Sequence, residues 1–400
     1  MPDIDRKKCD ILILSADFGT GHHQVSSAIK KVVSQKQQSL KVGIYNYFEY
    51  IYPPINKTIK FGYAQLLRYF SFGYNWFYKA TKDIEPDSMW QQILNKMGRR
   101  KLLDLIRQCS PKIIVCTFPT PAGVVSQLKQ EGIIDIPLAV VITDVAVHSQ
   151  WIHPKVDAYI VAADIVRYRL IDRGIPKEKI YVTGIPIRPQ FESPSIDPGI
   201  WIKLNLDPNI FTLIIMGGGQ GLMPGIEKIC QRLSDLSLPM QIIALTGSNK
   251  KLAQKLEAIA ESSNIPIRVL GYVENIAPIM KGGHLLLSKA GGITVFEALA
   301  VKLPILIYKP LPGHEQCNVD FLLNNKAALI AQNQDQAVEL IRKAIEDPSI
   351  LEDISRAMES ISKPFSARDT ANILLNMIDG EKRLVSVVEK DERKLIESWM

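Results

Sequence analysis

The chain has 400 residues, 46% of them hydrophobic. At roughly 100–200 residues per domain that length predicts two domains, each able to bury a core of its own. The formal net charge of +7 is modest, so the placement of the basic residues matters more than their excess, which can serve phosphate, nucleic acid or an anionic membrane surface. Five cysteines, at positions 9, 109, 116, 230 and 317, include no CxxC pair and no metal-ligand spacing. That pattern excludes a zinc site and a disulfide framework and predicts a reduced, intracellular protein. No apolar run approaches the ~18–20 residues of a membrane span, so a soluble or peripheral protein is expected.

In chain order, the apolar run 11–14 reads as a first strand. The stretch SADFGTGHHQVSSAI that follows turns at Gly19-Thr20-Gly21 into a helix carrying His22 and His23. Backbone N–H groups and the helix dipole at such a turn can receive an anion. Two nucleotide signatures are excluded: Gln24 replaces the third glycine of a dinucleotide fingerprint, and no G-K-[S/T] triplet occurs in the chain. A strand at 41–45 comes next. Residues 51–82 then hold ten aromatic residues and five Lys or Arg with no Asp or Glu. Aromatic rings favour the bilayer interface, and cations favour anionic headgroups at ~1 kcal/mol each, so this segment reads as a lipid-contacting lobe. Its alternative is an aromatic core with a solvated basic face. Arg99-Arg100-Lys101 adds a second basic cluster. No RNA- or DNA-binding motif accompanies either, so nucleic acid is not an expected partner.

Strands at 113–117, 138–143, 158–161 and 180–183 complete the first half. Asp144, His148 and Trp151 follow the strand 138–143, and each has two readings. They line a cleft, or they serve as a turn cap, a hydrogen-bonded loop residue and an interdomain packing residue respectively. The stretch GIPIRPQFESPSIDPGIWIK carries prolines at 186, 189, 194 and 198 and reads as the interdomain linker.

The second half opens as the first did, with a strand at 211–216 running into GGGQG, where the glycines let the main chain approach a ligand closely. Strands at 240–245, 268–270, 285–288, 305–308 and 328–330 follow. After the strand 285–288, SKAGGITVFEAL sets Gly291 and Gly292 at the strand end, Thr294 near a helix start and Glu297 in the first turn or two of that helix. The amides there can face a diphosphate and the carboxylate can accept both hydroxyls of a ribose; alternatively Glu297 complements the helix dipole, worth ~0.3–1 kcal/mol. Continuous apolar strands separated by helices predict an α/β protein with two doubly wound parallel-sheet domains facing a cleft. The expected division is 1–190, 200–362 and a helical segment at 363–400.

Five segments, LILSADFGTGHHQVSSAI, VITDVAVHSQWIHPKVDAYIVAAD, GGGQG, LGYVENIAPIM and SKAGGITVFEALAVKLPILIYKPLPGHEQCN, together resemble the diacylglycerol glycosyltransferases in order and spacing. These are the monogalactosyldiacylglycerol synthases and the bacterial processive diacylglycerol glucosyltransferases, relatives of the peptidoglycan-precursor N-acetylglucosaminyltransferase. The resemblance covers residues 9–330. It implies a GT-B fold and an inverting hexosyltransferase that moves glucose or galactose from UDP-glucose or UDP-galactose to diacylglycerol at an anionic membrane surface. It implies no metal and no cofactor, and a cytoplasmic enzyme peripheral on the cytoplasmic face of the membrane.

Residue by residue, the resemblance makes His22 the general base, in keeping with the ability of a neutral imidazole to take a proton from an alcohol. His23, one residue on, points elsewhere. Gly218, Gly219 and Gln220, with Gly291, Gly292, Ile293 and Thr294, fall around the diphosphate. Tyr272 and Val273 fall where backbone groups hold the uracil, and Glu297 on the ribose-binding glutamate. His314 and Glu315 fall on the pair that contacts the hexose; the family has glutamine where His314 stands, which leaves glucose and galactose both open. Gly21, Asp144, His148 and Trp151 fall on the acceptor side of the cleft. Three other activities fit the same segments: a transferase to another lipid-linked, cell-wall-precursor acceptor, a UDP-sugar epimerase, and a non-catalytic nucleotide-sugar-binding protein recruited to membranes. The last of these tolerates loss of His22; the enzymatic reading does not.

Overall fold

The computed structural model describes residues 8–17, 21–51, 98–193, 195–219, 221, 223–311 and 313–380, the side chain of His314 excepted. Apart from Ile51, the aromatic and basic segment 51–82 lies outside the described residues, as do Gly19, Thr20, Gln220, Pro312 and the tail beyond 380.

The first half runs β1 (Ile11–Ser15), α1 (Gly21–Lys36), β2 (Val42–Asn46), α2 (Tyr47–Ile51), α3 (Arg99–Cys109), β3 (Ile113–Cys116), α4 (Pro119–Gln130), β4 (Leu138–Val141), β5 (Ala158–Val161), α5 (Asp164–Ile171) and β6 (Ile180–Val182). The second runs α6 (Pro198–Leu204), β7 (Phe211–Met216), α7 (Ile226–Asp235), β8 (Met240–Gly247), α8 (Lys250–Glu261), β9 (Ile267–Gly271), α9 (Ala277–Lys281), β10 (Leu285–Ser288), α10 (Gly292–Val301), β11 (Ile305–Tyr308), α11 (His314–Asn324), β12 (Ala328–Ala331), α12 (Gln334–Glu346), α13 (Ser349–Ile361) and α14 (Ser366–Ile378). Every apolar run expected to be a strand is one. The ends differ: β4 stops short of Thr143, and β8 runs on to Gly247 through a register shift against β9.

The strands form two six-stranded parallel sheets, ordered β2-β1-β3-β4-β5-β6 and β12-β11-β10-β7-β8-β9. Strands β1, β3, β4 and β5 are buried along their whole length, as a sheet covered on both faces requires. In the second sheet the side chains of β7 alternate: Leu213 and Ile215 enter one core, Ile214 and Met216 the other. The latter core is continuous with that of the first domain. In each sheet the winding reverses once, between β1 and β3 and between β7 and β10. Ligands of open α/β sheets bind outside the carboxyl ends of strands at such points. The start of α1, with His22, and the glycines described after β7 and β10 therefore stand at the two positions where topology opens a crevice.

After α13 the chain returns to the first domain, and α14 packs on α1 and β3. The return is fastened by Thr183 Oγ1 to Thr370 Oγ1 at 3.2 Å, by the Ile187 N–H donating to Ser366 Oγ at 3.3 Å, and by an Arg368–Glu192 ion pair. Within the segment expected to be helical, 363–400, the described residues up to 380 form α14, a layer on the first domain. Of the second basic cluster, Arg99 pairs with Glu131 and Lys101 donates to the Ile51 carbonyl at 2.8 Å. No helix among the described residues is long and apolar enough to cross a membrane.

Gly184 tests how tightly the return is packed. Its φ is +84°, and a Cβ there stands 2.6 Å from Cβ of Lys363. Gly132 has a similar φ of +69° but open space around it. Gly184→Ala is expected to lower unfolding stability by about 1–3 kcal/mol more than Gly132→Ala, the cost of overpacking added to a shared backbone strain. Urea unfolding of the two variants measures the difference, and equal losses contradict the tight crossing.

Candidate active site

On the first-domain side, α1 begins directly beyond β1 and His22 is its second residue. Ser26 Oγ donates to the His22 carbonyl at 2.9 Å and shares a hydrogen bond with Thr117 Oγ1 at 3.1 Å, which fastens the first turn of α1 to the end of β3. The imidazole meets the Phe118 ring edge-on, with centroids 5.1 Å apart, and its Nδ1 lies 3.2 Å from Thr143 Oγ1. Asn46 donates to Asp17 at 2.6 Å and joins the ends of β1 and β2. His23 points away, exposed, toward Ser27 at 3.4 Å.

On the second-domain side, Gly218 and Gly221 take φ of +75° and +58°, values that side chains rarely adopt. Ser288 Oγ donates to the Met216 carbonyl at 2.9 Å and locks β10 to β7 at the crevice. The turn then passes through Ala290, left-handed at φ +65°, into α10, whose first amides have no intrahelical partner and carry the positive end of the helix dipole. Thr294 is buried in that first turn.

Glu297, only 2% exposed, lies deeper in α10 than a dipole partner needs. Its Oε1 accepts from Arg188 Nε at 2.8 Å and lies 2.8 Å from Arg188 Nη2, while Nη1 of the same arginine donates to the Glu274 carbonyl at 2.7 Å. Burial pushes the Glu297 carboxyl above its ordinary range, and the Arg188 charge and hydrogen bond oppose that. Glu315, in the first turn of α11, is also buried; Lys289 Nζ donates to its Oε1 at 2.7 Å and the Leu311 N–H to its Oε2 at 2.6 Å. A carboxylate oxygen accepts more than one hydrogen bond, so both oxygens keep capacity for a sugar hydroxyl. Lys289 also flanks the other turn, its Cε 3.7 Å from where a Cβ of Gly218 stands. Tyr272 follows β9 with its ring exposed, and Val273 is half-buried beside it.

The two sides touch. A Cβ at Gly21 stands 3.6 Å from Cγ1 of Ile293. One at Gly292 stands 2.7 Å from the Thr143 carbonyl oxygen and 3.2 Å from Asp144 Oδ1. Asn318, fully buried on α11, accepts from the Val145 N–H at 3.1 Å and donates to the Ala290 carbonyl at 3.0 Å. Gly21, His22 and Asp144 are thereby brought to Gly292 and Ile293. His148 and Trp151 are placed differently. The former accepts from the Gln150 N–H at 3.2 Å and caps the short 3-10 turn Ser149–Trp151; the latter is buried in that turn, which packs on α4. The side chain of His314 and all of Gln220 lie outside the described residues. Among the described residues no group of three or more His, Cys, Asp or Glu is placed to hold a metal ion.

Four residues of this junction were not singled out in the sequence: Thr143, Arg188, Lys289 and Asn318. Lys289 and Asn318 stand inside quoted motifs. Arg188 sits between Pro186 and Pro189, in a stretch read only as a linker, and its partner is more than a hundred residues away.

Two doubly wound parallel sheets with apposed crevices, one edged by a histidine and the other by glycine turns, make up a two-domain fold of the GT-B class. The profile of monogalactosyldiacylglycerol (MGDG) synthase matches residues 22–187, and that of the glycosyltransferase family 28 C-terminal domain matches residues 212–372. A processive diacylglycerol beta-glucosyltransferase of Bacillus thuringiensis (strain Al Hakam) is 34% identical over 375 residues, covering 92% of this chain and 94% of the relative. One from Bacillus cereus (strain B4264) is 32% identical over 385 residues, covering 95% and 97%. The chain belongs to this family of diacylglycerol glycosyltransferases. Solved structures share the fold at much lower identity. Acinetobacter baumannii MurG superposes with a TM-score of 0.60 at 15% identity over 92% of this chain and 99% of its own. S. aureus MnaA with UDP gives 0.63 at 14% over 93% and 97%. A Medicago truncatula protein complexed with UDP-glucose gives 0.61 at 13% over 94% and 100%.

The Arg188–Glu297 pair gives a pH-dependent expectation. Without Arg188, burial alone acts on Glu297, and its folded-state pKa rises further above the ordinary 4.5. Both folded proteins hold that carboxyl's proton to a higher pH than the unfolded chain does, so the deficit of Arg188→Met relative to wild type grows only once wild-type Glu297 has ionised, above 4.5, while the variant's remains protonated. At neutral pH it is expected to reach about 3–5 kcal/mol, the cost of orphaning a buried charge. Urea unfolding at a series of pH values from below 4.5 to neutral measures it, and a deficit independent of pH contradicts the assignment.

Proposed function

We propose that the protein is an inverting, UDP-sugar-dependent hexosyltransferase that glycosylates diacylglycerol at an anionic membrane surface on the cytoplasmic side. Glucose is the sugar favoured, because the relatives that match nearly the whole chain are named beta-glucosyltransferases. One observation carries the reading. The start of α1, which carries His22, lies against the start of α10, with Gly21 beside Ile293, so a base and an anion-receiving helix end share one crevice.

The chemistry follows from that apposition. The UDP-sugar occupies the second-domain crevice, with its diphosphate along the turns at Gly218, Gly219 and Gly291 to Thr294, and with Lys289 between them. Glu297 meets the ribose, the backbone at Tyr272 and Val273 meets the uracil, and Glu315 meets the hexose. The diacylglycerol hydroxyl enters from the first domain. His22 takes its proton, the oxygen attacks the anomeric carbon, and the bond to the UDP oxygen breaks with inversion. The helix end and backbone amides receive the charge on departing UDP, which is electrostatic stabilisation by groups already in place, with no metal or cofactor called for.

His22→Ala is expected to lower turnover by ~10²–10⁴-fold, the usual contribution of a positioned base, and to leave UDP affinity unchanged. The assay supplies radiolabelled UDP-glucose or, in parallel, UDP-galactose to diacylglycerol in anionic vesicles with chelator present and counts label in the organic phase; calorimetry follows UDP. Full turnover by His22→Ala removes the base, and no labelled lipid from either donor, in protein that binds UDP, removes the acceptor.

A further inference from the structure

We propose that Thr143 is the positioning residue for the base: its hydroxyl sets the His22 imidazole, and its main chain registers that imidazole against the donor-side turn. The inference rests on His22 acting as the base.

Three observations converge on this residue. Its Oγ1 lies 3.2 Å from His22 Nδ1, and the residue is buried, so bulk water does not compete for the contact. Threonine is branched at Cβ and stiff at χ1, so the direction of the hydroxyl follows from the backbone. That backbone is held on the opposite side. The Thr143 carbonyl faces Gly292 so closely that a Cβ there stands 2.7 Å away, and Asn318 ties Val145, two residues on, to Ala290 of the same turn. One residue thus touches the base with its side chain and the donor turn with its main chain.

The chemistry gives the contact a direction. With Nδ1–H donating to Thr143 Oγ1, the ring's lone pair resides on Nε2, and Nε2 receives the acceptor proton. The hydroxyl accepts the same hydrogen bond before and after that transfer, so the ring is not reoriented during turnover. A carboxylate at this place adds a negative charge that favours imidazolium and removes the lone pair the reaction uses; a hydroxyl orients the ring without that charge.

The test compares Thr143→Val, Thr143→Ser, His22→Ala and the double variant His22→Ala/Thr143→Val in the vesicle assay. Thr143→Val is expected to lower kcat by about 10–100-fold, part of what a positioned base supplies, with KM for the UDP-sugar within about twofold of wild type. Thr143→Ser, which keeps the hydroxyl, is expected to recover kcat to within about threefold of wild type, and the double variant to be no slower than His22→Ala alone. In the wild-type protein, 15N-histidine NMR, with the His22 signals identified by their loss in His22→Ala, is expected to show the Nδ1–H tautomer, a readout independent of whether any Thr143 variant folds. The proposal is overturned by wild-type kcat in Thr143→Val, by a serine variant as slow as the valine one, by a double variant slower than His22→Ala, or by the Nε2–H tautomer. Full turnover by His22→Ala overturns the base itself, and is distinguished from the others because it involves no change at Thr143.

Discussion

The geometry of the crevice depends on a missing carbon. At Gly292 the two domains approach main chain to main chain, and the Thr143 carbonyl occupies the space any side chain needs. Because α10 starts at that glycine and α1 starts at Gly21, one residue before His22, the approach brings a helix end and an imidazole into one crevice. The amide of Asn318 completes the arrangement, using its oxygen on one domain and its nitrogen on the other. A neutral amide suits that place, since both polar ends are satisfied and no charge is buried.

Charge is buried nearby, and in a different manner. Glu297 and Glu315 each have a cation at hydrogen-bond distance, Arg188 and Lys289. Such pairs yield little net stability, because desolvation offsets attraction, yet breaking one is costly. They therefore act on arrangement more than on stability. Arg188 belongs to the linker and also holds the Glu274 carbonyl beyond β9, so the connecting segment is attached to elements of the second domain at two points. Lys289 joins the turn after β10 to α11.

Much of this was legible in the sequence, for identifiable reasons. Strands buried on both faces are continuous apolar runs, so β1, β3, β4, β7, β10 and β11 announced themselves, and the alternation with helices implied parallel sheets. The glycine turns were visible because unusual backbone demands a particular residue. The ends of β4 and β8 were not legible, since they depend on where neighbouring strands stop pairing. The same limit applies to contacts between distant segments. Thr143 looks like the last residue of a strand, Arg188 like linker polarity and Asn318 like any helix residue; their roles arise only when separated pieces of chain meet. For His148 both readings are open in the sequence, a cleft residue or a hydrogen-bonded loop residue, and the structure shows its hydrogen bond to the Gln150 N–H.

The return of α14 to the first sheet bears on how the protein is made. On the ribosome, an N-terminal domain ordinarily folds as soon as its own sequence has emerged. Here the layer that covers α1 and β3 is supplied by residues near 366–378, after the entire second domain has been translated. The first domain consequently keeps an apolar face open through most of synthesis, and the closing contacts on α1 join segments more than three hundred residues apart. Long-range closure of that kind is slow, and the waiting surface lies on the same helix that carries His22. The step that seals the nascent chain is thus also the step that braces the helix bearing His22.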